Sequence, residues 1–278
     1  EIIFDWADIE KRLRQMVYHC ECPVKESYNT CMLALSESAR QSGIKVVLTG
    51  QGADELFGGY ISYRMDRVRD TLPRKDSPDK VREDELREKL WGDKDYFYEN
   101  NYHALKKNIA GLYSERVRKA LPEFDCYRAD LIDKARLRGR HPVHQRSYLD
   151  FKLRLVDHLL SDHGDRMNLA SSVEGRFPFL DTNLVKYITK ELPPELKVNG
   201  HSEKYILKKM ASGLIPREII ERDKYGFRAP SSPYLLRQNI DWINDLLSYE
   251  RIKRQGYFDA TMVEKLKTQY LQEGFNIH

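Results

Sequence analysis

The sequence predicts a helix-rich α/β fold, in which part of a parallel sheet is followed by a mostly helical region. Three observations support this prediction. Apolar residues recur at helical spacing near the start, a short β-branched run interrupts them, and a glycine-rich turn follows that run. Helix, strand and turn in this order form one unit of a layered α/β fold. Because only one strand is convincing, we expect other strands of the sheet to lie upstream.

Two amphipathic helices come first. In "FDWADIEKRLRQMVYHC", Phe4, Ile9, Leu13 and Val17 share one helical face. The stretch "SYNTCMLALSESARQSG" repeats the pattern and ends at Gly43, a residue type typical of helix ends. The run "IKVVLTG" then changes the period. A short, uninterrupted β-branched run is typical of an interior parallel strand that is covered on both faces.

The composition changes after residue 60. The stretch "RDTLPRKDSPDKVREDELREKL" is highly charged and contains Pro73 and Pro78, which predicts a solvated excursion followed by a helix. We therefore divide the chain into an α/β core at residues 1–72, a helical excursion at 73–145 and a helical part at 146–278 that completes the site.

Composition and charge narrow the functional classes. The 278 residues are 41% hydrophobic, which is enough for a core, and the net charge is only +4, so no nucleic-acid partner is expected. Cys20, Cys22, Cys31 and Cys126 lack zinc-finger spacing, which favours free thiols in a reducing compartment. The sequence shows neither a membrane-length apolar run nor a signal-peptide core, so we expect a cytoplasmic protein.

The first candidate site follows the strand, in "LTGQGADELFGGY". Ligands of open α/β sheets bind beyond the carboxyl ends of the strands, where residues 49–55 lie. Gly50 and Gly52 allow backbone N–H groups to approach an anion. Asp54 offers an oxygen ligand for Mg²⁺ when phosphates complete the coordination. The structural alternative is a pair of tight turns, with Asp54 capping the next helix.

The second candidate region, "LLSDHGDRMNLASSVEGRFPFLD", concentrates charged residues among small ones. It includes Asp162, His163, Glu174 and Arg176. The structural alternative is a salt-bridged buried helix, because desolvated charges need partners. For His163 in particular, a structural hydrogen bond is a more common role than catalysis. No second His or Cys lies nearby at a zinc-ligand spacing.

The third candidate region is rich in lysine. Lys204 and Lys208 share a helical face in "EKYILKKMASGLIP", and exposure is the default for Lys208 and Lys209. Lys224 differs because it lies in "RDKYGFRAP", a turn that contains Gly226. A lysine held in such a turn can face a phosphate as a point charge.

Four stretches in chain order resemble the C-terminal synthetase domain of the asparagine synthetase family. They are "LTGQGADELFGGY", "DRMNLASSVEGRFPFLD", "EKYILKKMASGLIP" and "RDKYGFRAP". The resemblance covers most of residues 44–60 and 148–230. It implies an adenine-nucleotide α-hydrolase-like sheet, with residues 1–72 as a remnant of the nucleotide-binding core. It also implies an ATP- and Mg²⁺-dependent ligase that adenylates a carboxylate, typically that of aspartate, and amidates it with ammonia derived from glutamine.

The resemblance gives roles to the residues of the first and third regions. Thr49, Gly50 and Gly52 would contact the nucleotide, and Asp54 would ligate Mg²⁺. Lys224 would stabilise negative charge on the α-phosphate and on pyrophosphate.

Three further assignments follow the resemblance less closely. Gln51 stands where asparagine-forming members often have glutamate, and an amide can hydrogen-bond a nucleophile but cannot act as a base. Asp162 is a candidate carboxylate beside that position. Glu174 and Arg176 are expected to form an ion pair that lines the nucleotide site.

Two family features are absent from the sequence. A Ser-Gly-Gly-x-Asp-Ser phosphate loop occurs nowhere in it, and neither does a glutaminase domain. We therefore expect a truncated synthetase domain that is inactive alone. Its expected partners are the small-molecule substrates and an upstream glutaminase and phosphate-loop segment or subunit, and a homodimer is one option for assembly.

Two other functions stay open. A relative that amidates or cyclises a peptide, a sugar or a secondary metabolite would fit Gln51. A non-catalytic binding module would fit the missing loop, but the presence of Asp54, Glu55 and Lys224 disfavours it.

Overall fold

The computed structural model describes residues 2–24, 27–69, 77–226 and 232–272, and these are mostly helical. The α-helices are, in chain order, α1 Trp6–Cys20, α2 Asn29–Gln41, α3 Ala53–Phe57, α4 Ile61–Arg69, α5 Pro78–Trp91, α6 Tyr102–Leu112, α7 Glu115–Ala120, α8 Pro142–Leu149, α9 Arg166–Ala170, α10 Thr182–Glu191, α11 Pro194–Lys197, α12 Tyr205–Ala211, α13 Arg217–Glu221, α14 Ser232–Arg237, α15 Asp241–Leu246, α16 Tyr249–Gln255 and α17 Ala260–Gln272.

Other regular segments join these helices. The strands are β1 Val46–Leu48 and β2 Glu174–Arg176. A π-helical segment covers Asp150–Asp165 and connects α8 to α9 without a break. Three short 3-10 helices lie at Cys126–Arg128, Lys134–Arg136 and Pro178–Leu180.

The chain divides into two compact units. The first takes its described residues from Glu1–Arg74 and Ile132–Arg228, and the second from Lys75–Leu131 and Ala229–His278. This division does not follow the three segments drawn from the sequence. The segment that begins at residue 146 is split near residue 228, and its end joins the helical excursion.

The sheet of the first unit is small and parallel, as predicted. Val46 pairs with Glu174, Val47 with Gly175 and Leu48 with Arg176. The prediction that β1 is covered on both faces is wrong for the described residues, because Leu48 is 73% exposed. Its one described neighbour in the sheet is β2, so the other edge of β1 is unpaired in this part of the chain.

A helical layer packs beside this sheet. Asp5 and Asp8 form a capping box at the start of α1. Met16, Cys20, Leu33 and Met167, from α1, α2 and α9, form a fully buried cluster. The predicted face of α1 is wrong at one position: Ile9 is buried with Met16 and Cys20, but Val17 is exposed. Helix α2 ends as predicted, with Gly43 at a φ of +77° shortly after it.

A second cluster lies under the glycine-rich motif. Leu56 and Phe57 of α3 pack with Ile188 of α10, and Phe151 of the π-helical segment contacts them. This packing fixes α3 against the long helical path from α8 to α9. It therefore holds the polar residues of α3 in a defined position.

The second unit is helical and has its own aromatic core. Trp91 is 3% exposed and contacts the rings of Tyr98 and Tyr102. Ser114 donates a hydrogen bond to the Gly256 carbonyl at 2.7 Å and so joins two distant parts of this unit. The excursion that the sequence predicts is thus a packed structure.

Two chemical features concern the described residues as a whole. The four cysteines are free thiols, and Cys20 is buried. None of the described helices combines the length and the apolar character needed to cross a membrane.

Candidate active site

A cavity of about 460 Å³ opens in the first unit at the carboxyl end of β1. We call it the motif cavity, because three of the stretches singled out in the sequence line it. Its main lining residues are Gly50, Gln51, Gly52, Asp54, Glu55 and Tyr60 from the first stretch, Arg154, His158 and His163 from the π-helical segment, Lys224 and Gly226 from the lysine-rich region, and Tyr28.

The glycine-rich turn brings backbone to the wall of this cavity. Gly52 has a φ of +91° at the start of α3, and a Cβ there would lie 2.2 Å from Leu180 Cδ2. A side chain is therefore excluded both by conformation and by space. Gly50 faces open space. Thr49 is not among the lining residues, and its buried hydroxyl has no hydrogen-bond partner in the described part of the chain.

Asp54 is held by two lysines from distant parts of the sequence. Lys204 Nζ lies 2.9 Å from its Oδ1 atom, and Lys224 Nζ lies 3.2 Å from both carboxylate oxygens. The capping alternative for Asp54 is wrong, because Gly52 starts α3 and that start has no side-chain cap. A Cβ at Gly59 would overlap the Asp54–Lys204 pair, which explains a glycine at this position.

Tyr60 connects the acids of the cavity to its cations. Its hydroxyl donates a hydrogen bond to Oε1 of Glu55, which is 1% exposed. Burial raises the pKa of Glu55. The Arg154 guanidinium lies 4.5 Å from the Tyr60 ring centre, and Lys224 Nζ lies 5.8 Å from it. Two cations thus face one aromatic ring at the cavity wall.

A chain of hydrogen bonds runs along the opposite wall. The Tyr28 hydroxyl bonds His158 Nε2, and His158 Nδ1 lies 3.1 Å from Asp162 Oδ1. Burial raises the pKa of Asp162, but the hydrogen bond and the charge of His158, together with hydrogen bonds from Asn29 and the backbone, outweigh it and the pKa is lowered. Asn29 donates to Asp162 at 3.3 Å and accepts from His163 Nδ1 at 2.8 Å. Burial lowers the pKa of His163 to about 4.

The π-helical segment explains which of its residues reach the cavity. Hydrogen bonds in a π-helix connect residues five apart, so side chains spaced by four and five residues share a face. Arg154, His158 and His163 have this spacing and line the cavity together. Asp162 lies one contact behind, through His158.

The structure therefore confirms that the three regions converge. The Lys224 ammonium and the Asp54 carboxylate meet in one cavity, with Gln51 in its wall. Sequence reasoning missed Tyr28, Tyr60, Arg154 and His158. It placed Lys204 on a helical face with Lys208, whereas Lys204 precedes α12 and contacts Asp54. The spacing of residues 154 and 158 was the available signal for two of them. The left-handed φ of +50° at Lys204 has no counterpart that could be read from the sequence.

Glu174 and Arg176 form the expected ion pair, at 2.7 Å, but not at the cavity. Their side chains are 58% and 60% exposed on β2, and neither is among the lining residues. Side chains two residues apart project from the same face of a strand. Because neither side chain lines the cavity, nucleotide binding by this pair stays a prediction.

The cavity can be tested for its fit to Mg²⁺. In the described part of the chain no three acidic, His or Cys side chains cluster as a metal site would require. Asp54 supplies hard oxygens at the wall, and Mg²⁺ commonly binds through one or two carboxylates together with substrate phosphates. The residues thus fit the ion when it arrives with phosphates, and Asp54 is the residue that would hold it.

Comparison with known proteins identifies the family. The asparagine synthase profile matches residues 1–276, which is nearly the whole chain. The chain belongs to the asparagine synthase family. This confirms the resemblance that its motifs showed.

Proteins similar to this chain have two kinds of name, amidase and asparagine synthetase. The chain is 26% identical to amidase chry2 of Gibberella zeae and 27% identical to amidase chyE of Penicillium rubens, in each case over 92% of this chain and 42% of the relative. It is 25% identical to a glutamine-hydrolysing asparagine synthetase of Bacillus subtilis, over 84% of this chain and 38% of the relative. The chain thus spans about two fifths of the length of these relatives.

Proposed function

We propose that this chain forms part of the active site of an ATP-dependent ligase that makes an amide. One observation carries the proposal. Lys224 and Asp54, which are 170 residues apart in the sequence, meet at 3.2 Å beside a glycine-rich turn at the end of a strand. Backbone N–H groups, an ammonium and a carboxylate at one cavity are the groups that phosphate chemistry requires.

In the first step a substrate carboxylate oxygen attacks the α-phosphorus of ATP. The bond from that phosphorus to the bridging oxygen breaks, and pyrophosphate leaves with the electron pair. Negative charge gathers on the phosphate oxygens, where the Lys224 ammonium stabilises it. The backbone at Gly50 and Gly52 positions the nucleotide, so that part of the barrier is overcome by orientation.

Mg²⁺, bound through Asp54 and the phosphates, would neutralise charge on the departing pyrophosphate. The two lysines that hold Asp54 fix the position of its carboxylate at the cavity wall. Arg154, whose guanidinium faces Tyr60 from the π-helical segment, adds positive charge for a polyphosphate ligand. Thr49 is proposed to contribute only its backbone.

In the second step a nitrogen nucleophile attacks the acyl carbon, the carbon–oxygen bond to AMP breaks, and the nitrogen loses a proton. Gln51 can orient the nucleophile but cannot take this proton. An ionised Asp162 only accepts hydrogen bonds, so His158 carries its proton on Nδ1 and accepts from Tyr28 at Nε2. Both ring nitrogens of His158 are thus engaged, so it takes the proton through Tyr28: the Tyr28 hydroxyl accepts the proton from the nitrogen as its own proton passes to Nε2. Asp162 is a positioning residue.

The proposal also extends to the acceptor, the substrate whose carboxylate is amidated. Aspartate with ammonia derived from glutamine is the first candidate, because relatives are named glutamine-hydrolysing asparagine synthetases. An acceptor other than free aspartate is the second, and two observations favour it. Gln51 occupies the cavity wall, and two similar proteins are named amidases. The glutaminase and phosphate-loop parts would be supplied by another segment or subunit.

Pyrophosphate release is the measurement that tests the proposal. We expect release from ATP and a carboxylate substrate when a phosphate-loop segment is supplied, and negligible release without it. Scoring aspartate against peptide, sugar and secondary-metabolite carboxylates identifies the acceptor. A non-catalytic binding module would bind the nucleotide but release nothing with any of them.

A pair of lysine variants ties the activity to the cavity. We expect Lys224→Met to lower the rate of pyrophosphate release by about 10²–10³-fold, the usual cost of removing one preorganised charge-stabilising group. Lys209→Met is the matched control, since Lys209 is exposed and contacts the Tyr205 ring instead of the cavity. Equal rates in the two variants would remove Lys224 from the mechanism.

A further inference from the structure

A second cavity of about 460 Å³ lies in the same unit, away from the motif cavity. The segment before α8, helix α8 itself, and helices α10 and α11 form it. We call it the cationic cavity, because each charged side chain that the described residues contribute to its lining is a lysine or an arginine. These residues are Arg136, Arg140, Lys190 and Lys197.

Two of these cations are already paired at the surface. Lys190 lies 3.2 Å from Glu191, and Arg136 lies 3.3 Å from Asp133, with side chains that are more than half exposed. Surface pairs of this kind are weak and exchange readily with water. They can therefore turn toward a ligand at low cost.

Lys197 is different, because it is both buried and unpaired. Its side chain is 1% exposed, and its ammonium has neither a hydrogen-bond nor an ion-pair partner among the residues that the structure describes. Burial lowers its pKa to about 8, so it is still largely protonated near neutral pH. Buried charges are normally paired, because desolvation disfavours a lone charge. A buried, unpaired ammonium beside a cavity therefore favours an anion as the ligand.

His144 gives a second, independent indication. Its Nε2 atom is buried, lines the same cavity and has no hydrogen-bond partner in the described residues. Ordered ligands or waters usually satisfy such atoms. Tyr148 and Thr189 add side-chain hydroxyls to the wall.

We propose that the cationic cavity binds a small multivalent anion bearing a phosphate group, held by Lys197 and Arg140. A phosphate supplies several acceptor oxygens, so it can satisfy an ammonium and a guanidinium at once. This cavity is separate from the motif cavity, but one hydrogen bond connects their walls. Ser147, which lines the cationic cavity, donates a hydrogen bond to the Glu55 carbonyl at 2.7 Å.

The proposal does not depend on the proposed ligase activity, and binding alone tests it. Inorganic phosphate and pyrophosphate are titrated calorimetrically into the intact protein, the Lys197→Met and Arg140→Gln variants, and a Lys186→Met control on the exposed surface of α10. We expect the control to bind like the wild type. Each cavity variant should bind at least about tenfold more weakly, the loss of one charge-assisted contact.

A Lys224→Met variant distinguishes the two cavities. If that variant alone loses phosphate binding, the anion lies in the motif cavity and the proposal is wrong. Unchanged binding in Lys197→Met also overturns it.

Thermal unfolding without anion separates a binding role from a structural one. Because Lys197 is buried and unpaired, we expect Lys197→Met to raise the melting temperature by about 2–4 °C and to abolish the further rise caused by phosphate. A lower melting temperature together with a retained phosphate response would show that the ammonium has a structural partner instead.

Discussion

The motif cavity and the cationic cavity have similar volumes and lie in the same unit, but charged side chains are paired in the first, whereas the second contains an unpaired one. In the motif cavity Asp54 is held by Lys204 and Lys224. In the cationic cavity Lys197 is buried without a partner among the described residues. Paired charges are held in place before a ligand arrives, and they suit a ligand that brings both charge signs, such as a metal-bound polyphosphate. An unpaired charge is stabilised only once its ligand binds.

This contrast predicts that replacing a buried cation by methionine stabilises the protein where the cation is unpaired and destabilises it where the cation is paired. Arg146 of α8 is fully buried. It pairs with Asp66 through contacts of 2.5 and 2.8 Å. We expect Arg146→Met to lower the free energy of unfolding by about 3–5 kcal/mol, because a buried, two-contact ion pair with Asp66 is lost. Urea unfolding measures this. Arg138→Met, at an exposed site in the preceding segment, should change little, and a similar loss in both variants would contradict the reasoning.

Each cavity also contains a histidine whose pKa is lowered to about 4, the buried His163 in the motif cavity and the half-buried His144 in the cationic cavity. Burial is the main cause in both. Neighbouring His158 lowers the pKa of His163 further and Asp162 raises it. In the unfolded chain each imidazole takes up a proton near pH 6.5, but in the folded protein only near pH 4. The stability that comes from keeping it neutral is therefore fully present above pH 6.5 and is lost as the pH falls toward 4.

We therefore expect His163→Gln to flatten the decrease in stability between pH 6.5 and 4, by about 3 kcal/mol at most. Chemical unfolding across this pH range measures it. His201→Gln, at an exposed site in the same unit, is the control. A wild-type stability that does not change across this range would show that the imidazole is not held neutral.

The third test concerns the packing behind Asp54. A Cβ at Gly59 would lie 2.0 Å from Asp54 Oδ1 and 2.2 Å from Lys204 Cε. We expect Gly59→Ala to destabilise the protein by about 1–3 kcal/mol, the usual range for overpacking, and to weaken nucleotide binding. Thermal unfolding and nucleotide titration measure the two effects.

Gly111→Ala is the matched control, because a Cβ there meets nothing within 4 Å and the residue lies in helix α6. It should stabilise the protein by about 0.5–1 kcal/mol. If Gly59→Ala leaves both properties unchanged, the Asp54–Lys204 pair is not a fixed part of the site.

The sequence predicted much of the motif cavity because its local patterns are strong. The strand, the glycine turn and the placement of Asp54 follow from short-range chemistry, and Lys224 stood out because its turn is unusual. Tyr28, His158 and Lys204 depend on contacts between residues far apart in the chain, and a single sequence does not encode these locally. The π-helical spacing of Arg154, His158 and His163 also departs from the period that is normally searched.

The cationic cavity could not be predicted for a related reason. Lys197 lies in "PPELKVNG", where a lysine reads as an ordinary surface residue. Its burial results from the packing of α8, α10 and α11 around it. The exposed position of β1 has a similar origin, because whether a strand is covered depends on neighbours beyond its own residues.

The outer face of β1 has a practical consequence. Leu48 and Val46 present apolar side chains to solvent, and β1 has one described neighbour along its length. A free strand edge with apolar side chains is a template on which another strand can pair. Where no further strand pairs with β1, that edge is a site for self-association at high concentration, and charged residues introduced at positions 46 and 48 would oppose it.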